Sequence, residues 1–129
     1  MDLSNFSYSH IYWIFLLPLI GAGADIVTGW IQATINGTWD STKMRKGLYR
    51  KGGELLVVII AFVAEAAIPV IAEYRVATWI SLYIVIMEAV SVLENLDQAG
   101  VAFPKSILKK LGKVKAELDG EDEDEPDKE

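Results

Sequence analysis

The chain has 129 residues with no cysteine and one histidine, which is enough for one domain and excludes disulfides and thiolate-bound metal. Hydrophobic residues make up 52% and mean hydropathy is +0.29 despite a formal net charge of −6, so charge and apolarity are segregated along the chain rather than mixed. The acidic excess comes largely from the terminal run EDEDEPDKE, the segments between the apolar blocks are basic, and this balance does not point to nucleic acid as a partner.

The first predicted element is a membrane-spanning helix over about 11–36. A run of about 20 apolar residues coiled as a helix matches the hydrocarbon thickness of a bilayer. Ala22-Gly23-Ala24 resembles a signal-peptidase site, but the first nine residues contain Asp2 and no Lys or Arg, and the apolar character continues through Ile35. A signal peptide needs a positive start, so the segment is read as a retained helix. His10, at its start, is read as an interfacial residue rather than a metal ligand.

Next comes NGTWDSTKMRKGLYRKGG, read as a link, with Lys43, Arg45, Lys46, Arg50 and Lys51 against Asp40. The second predicted span, about 54–72, leads through the short turn EYR to the third, about 76–95. After it, FPKSILKKLGKVKAEL carries Lys105, Lys109, Lys110, Lys113 and Lys115. Short loops rich in Lys and Arg stay on the cytoplasmic side. Three spans place the two basic segments together inside, with the N-terminus and the EYR turn outside, whereas an even number of spans would set them in conflict. Tyr12, Trp13, Trp39, Tyr49, Tyr74 and Trp79 sit near the predicted interfaces as aromatic anchors. The alternative of a soluble helical bundle would need polar outer faces, and 56–64 and 79–87 have almost none.

Residues 104–118 form a predicted amphipathic basic helix, with Ile107, Leu111, Val114 and Leu118 at helical spacing, suited to an anionic leaflet or simply to solvent. The acidic tail over 119–129 is expected to be disordered. The domain plan is therefore a transmembrane unit over 1–103, the basic segment over 104–118 and the tail over 119–129.

Each apolar segment holds one acid near its middle: Asp25, Glu65 and Glu88. Helical spacing puts Gly21, Asp25, Thr28, Gly29, Gln32 and Asn36 on one stripe of the first span. Ser81, Glu88, Ser91 and Asn95 share a face of the third, and Glu54, Ala61, Glu65 and Ala72 a face of the second. Small residues let helix backbones approach, while an acid facing lipid costs roughly 2.5–3.5 kcal/mol. With no Lys or Arg deep in any predicted span, an ion pair within one chain is not expected. The stripes are then either helix-packing surfaces or, in an assembly of several copies, the wall of a wetted opening. No metal-ligand cluster, phosphate-cradling loop or nucleophile–base set is visible, so neither an enzyme nor a cofactor is expected.

Several stretches together resemble the phage holins of the toxin-secretion/phage-lysis type, which include the clostridial toxin-release holins. They are Asp25-Ile-Val-Thr28-Gly29, the basic Ser41 to Lys51 segment, Ser91-Val-Leu93-Glu94-Asn95 and Gly100-Val-Ala-Phe-Pro104, in that order. The sequence departs from that family's pattern at Glu65 and in the length of its tail. The resemblance implies an all-α, multi-pass protein of the bacterial host cytoplasmic (inner) membrane. Such a protein has lipid around it, forms homo-oligomers, and opens lesions or pores that release an endolysin or a toxin without having to touch it. An antiholin is an admissible further partner. The residues by themselves also fit a small ion channel or transporter subunit, or a non-conducting antiholin-like scaffold.

Overall fold

A computed structural model describes the backbone of residues 3–120 and the side-chain surroundings of residues 12–118 and 120. The described chain is helical: α1 Leu3–Asn36, α2 Ser41–Ala67, α3 Pro69–Tyr74, α4 Val76–Gln98 and α5 Lys105–Asp119. Two helices are long and apolar enough to cross a membrane, Tyr12–Asn36 and Val76–Gln98, where the first and third spans are expected. From residue 121 on, the acidic tail lies outside the described residues, as do Asp2 and the side chain of His10.

The middle of the chain departs from expectation. The basic stretch is not a loop, because α2 starts at Ser41 and runs without a break to Ala67. Its start is fixed by Asp40, whose Oδ1 accepts from the backbone N–H groups of Thr42 at 2.9 Å and Lys43 at 3.1 Å. A capping side chain of this kind satisfies donors that have no partner inside the helix. Its end is fixed by Pro69, which lacks an N–H and drives the residue before it out of the helical region. Ile68 accordingly has φ −125° and ψ 104°. The segment expected as one helix over 54–72 is thus divided between α2 and the short α3. Pro18 behaves differently, lying fully buried inside a continuous α1.

Gly37 (φ +64°) ends α1 and Gly100 (φ +91°) follows α4. Each sits at a left-handed cap, with Thr38 N–H donating to the Ala33 carbonyl at 3.0 Å and Val101 N–H to the Leu96 carbonyl at 3.0 Å. Glycine meets this conformation without a Cβ clash.

The packing of α1 on α4 follows a step of seven on each helix. Ser81 Oγ donates to the Ile14 carbonyl at 2.7 Å. Seven residues on, Gly21 meets Glu88, and a Cβ on the glycine would stand 3.0 Å from the Glu88 Cβ. Seven further, Asn95 Nδ2 donates to Thr28 Oγ1 at 3.2 Å. The numbers rise together on both helices, so α1 and α4 run parallel. Helix α2 runs back against them, with the Phe15 and Phe62 rings edge-on at 5.4 Å and Lys51 beside Asp25 and Glu88. Helix α5 folds back along α4, so that Lys115 lines a cleft with Tyr83, Ile84, Met87, Glu88 and Ser91.

The interior of this bundle is more polar than its outside. Thr28, Lys51, Ser81 and Glu88 are buried alongside Val58, Ala77, Ile84 and Val90. Leu19, Ile20, Val27, Leu56, Ile60, Val63, Trp79 and Leu82 are all exposed. In water that arrangement would leave a large apolar surface wet. A bilayer removes the penalty, and the soluble-bundle alternative falls with it.

Candidate functional site: a buried Lys51 between two carboxylates

Lys51 is 6% exposed and stands between α1 and α4. Its Nζ donates to Glu88 Oε1 at 2.7 Å and Oε2 at 2.5 Å and lies 2.6 Å from Asp25 Oδ2. The other Asp25 oxygen, Oδ1, accepts from Asn95 Nδ2 at 2.8 Å. Thr28 Oγ1 takes part as acceptor from Asn95, and it donates back to the Ala24 carbonyl at 2.8 Å. No buried side-chain N or O atom among the described residues lacks a hydrogen-bond partner. Every ionised group in the cluster therefore has a partner, with the one ammonium shared by two carboxylates, and such pairing is what keeps ionised groups tolerable in a low-dielectric setting.

This cluster overturns two readings made from the sequence. Lys51, counted among membrane-surface cations, is buried. An ion pair within one chain, not expected because no cation lies within the predicted spans, is present and joins three helices. The cause is the extra length of α2. With the helix running from Ser41, Lys51, Val58 and Glu65 fall seven apart on one stripe. Asp25 and Glu88 lie near the middle of Tyr12–Asn36 and Val76–Gln98, so the ammonium sits at mid-height of both.

The remaining stripe residues divide into those that join the cluster and those that do not. Gly21, Asp25, Thr28, Glu88 and Asn95 meet, and Gly29 lies against them, its would-be Cβ 3.5 Å from Asn95 Nδ2. Ser81 belongs to the same interface, one step away. Asn36 lies at its end, donating to the Gln98 carbonyl at 3.0 Å. Gln32 lines an open cleft beside Lys51. Ser91 borders a smaller cleft with Arg50, Glu54 and Lys115. Glu65 is elsewhere, at the far end of α2, where Oε1 accepts from the Ala77 N–H at 2.6 Å. It satisfies a first-turn donor of α4 that has no partner inside its own helix.

Of the other cations, Arg50 pairs loosely with Glu54 at 3.7 Å. Lys43, Arg45 and Lys46 are exposed on the first turns of α2, and Lys105, Lys109, Lys110 and Lys113 on α5. On α5, Leu108 and Leu111 are half-buried, while Ile107, Val114 and Leu118 stay exposed.

A family model described as the bacteriophage holin family matches residues 4–116, which takes in α1 through most of α5. The chain belongs to that family. It is thereby a membrane protein with transmembrane helices, of a non-enzymatic family tied to phage lysis. Comparison with curated proteins and with solved structures found no match. In this holin-family chain the cluster around Lys51 joins α1, α2 and α4.

Proposed function

We propose that this chain is a holin that inserts in the cytoplasmic membrane of a bacterial host and assembles with copies of itself. It then opens lesions through which an endolysin, or a toxin, reaches the wall side. The observation that carries this reading is the family match over residues 4–116.

The topology we propose is three crossings, N-out and C-in. Two helices that both span and run parallel require the chain between them to cross back, and only α2 and α3 lie between them. At 1.5 Å per residue the 27 residues of α2 give roughly 40 Å, enough for the return. The basic turns at the start of α2 and the lysines of α5 then share the cytoplasmic side.

In the closed protomer the polar stripes are covered by helices of the same chain, with Lys51 as counter-ion. Hydrating them requires α2 to draw away from α1 and α4, and a neighbouring protomer's helices complete the ring around the exposed stripes. Two such packings need differ by only a few kcal/mol. Movement of charge in the field contributes about 2.3 kcal/mol per elementary charge per 100 mV, so depolarisation biases the exchange.

Expression in bacteria tests the reading. It predicts abrupt loss of membrane potential, followed by lysis when an endolysin is co-expressed. Release of a folded protein along with a small dye separates it from an ion channel and from a non-conducting antiholin-like partner. Steady growth at high membrane levels of the protein would overturn it.

A further inference from the structure

Between α1 and α2 a cleft of about 700 Å³ runs from Thr38 and Asp40 down to the Asp25–Lys51 pair. Its size falls within the range of roughly 300–1,000 Å³ typical of small-molecule sites. Its walls are apolar, formed by Ile26, Trp30, Met44 and Leu48, all of them exposed. Its charged lining is Lys43, Arg45, Lys51, Asp25 and Asp40. Both carboxylates are already engaged, Asp25 by Lys51 and Asn95 and Asp40 by the backbone at the start of α2. Lys51 is engaged as well. Three cations against two carboxylates leave the lining one net positive charge, and neither Lys43 nor Arg45 has a carboxylate within ion-pair distance among the described residues.

We propose that this cleft is a binding site for one anionic phospholipid of the cytoplasmic leaflet, its phosphodiester against Lys43 and Arg45 and an acyl chain along Trp30 and Leu48. The inference rests on the three-crossing topology, which puts the mouth of the cleft at the cytoplasmic headgroups. Basic pockets between membrane helices on that side suit anionic headgroups. Water alone gains nothing from the apolar walls. A helix from a second copy, about 10 Å across, would fill 700 Å³ in less than roughly two turns, too short a segment to seat. Gln32 and Gln98 at the polar end add amides able to bond headgroup hydroxyls.

The test uses the full chain in nanodiscs of mixed phosphatidylglycerol and phosphatidylcholine, counting the lipid retained per chain on extraction into mild detergent. One phosphatidylglycerol should be retained in preference to phosphatidylcholine. Lys43→Gln with Arg45→Gln should weaken retention about twenty-five-fold, since each surface cation contributes about a factor of five. Ala33→Phe, which fills the cleft without altering charge, should weaken it too. Lys109→Gln with Lys110→Gln removes the same charge from α5 and should leave retention unchanged. Equal loss in that pair, or no preference for the anionic lipid in a chain that inserts normally, would overturn the cleft as a site. Failure to insert at all would overturn the membrane topology beneath it.

Discussion

Lys51 has two carboxylates within hydrogen-bond distance of its ammonium. Removing the ammonium would leave Asp25 and Glu88 facing each other in a buried space. Breaking a buried pair from one side costs roughly 3–5 kcal/mol, because a charge stays behind uncompensated. Lys51→Met should therefore lower stability in detergent by about that amount, and the same change at exposed Lys46 by no more than about 0.5 kcal/mol. Comparing their thermal unfolding checks this, and equal melting would mean that the cluster does not hold the three helices. In cells the Lys51 variant should also trigger lysis earlier than the parent chain, since its closed packing is the one weakened. A second contrast lies one turn away. A Cβ at Gly21 would stand 3.0 Å from the Glu88 Cβ, whereas at Gly23 nothing lies within 4 Å. Gly21→Ala should destabilise the chain by pushing α1 off α4. Gly23→Ala should stabilise it by about 0.5–1 kcal/mol, the usual gain from replacing glycine within a helix. Opposite shifts in the two melting temperatures are the expected result.

Helix α2 is where the sequence was least transparent. Its start depends on one side chain, so Asp40→Ala should cost about 1 kcal/mol and fray the first turn. Hydrogen exchange at the amides of Thr42 and Lys43 would report it, and unchanged protection there would show that the cap is dispensable. The helices carrying Asp25 and Glu88 were legible because long apolar runs dictate both their conformation and their extent. The stripes on them were legible because a period of 3.6 residues fixes which side chains share a face. The first half of α2 has neither property. Lys and Arg favour a helix, but their charge read as a basic link between spans, and the pair Gly52-Gly53 as a breaker, since glycine costs about 1 kcal/mol in a helix interior. Packing against α1 and α4 outweighs the cost of the glycines, and residues 52–53 by themselves do not contain that packing. One signal was present: carrying the Glu65 and Val58 stripe seven residues further back arrives at Lys51. Pro69 gave the opposite difficulty, because within a helix a proline kinks or stops the chain depending on what its neighbours supply. Here Ile68 turns extended and the helix stops.

At the scale of the molecule, the parallel run of α1 and α4 has the widest consequence. Three independent pairings along the interface, Ile14 with Ser81, Gly21 with Glu88 and Thr28 with Asn95, share one direction. Antiparallel neighbours could be joined by a short turn on one side of a membrane. Parallel ones require the chain to return through it, even though α2, with a basic first half, is not itself a helix of high apolarity. In the proposed topology Lys51 makes that return tolerable, because the charge it brings to mid-height is met there by Asp25 and Glu88. In the three-crossing topology proposed above, the fold and the charge pairing depend on one another: α2 crosses where two acids await it, and the acids stay inside where α2 supplies a cation. Because the natural chain has no cysteine, this can be read directly with single cysteines and a membrane-impermeant thiol reagent on intact cells. A cysteine at Tyr74, in the corner between α3 and α4, should label from outside. Cysteines at Ser41 and at Lys109 should label only after the membrane is opened. Labelling of all three from the same side would mean that α2 never crosses, and would separate the parallel packing from the topology argued from it.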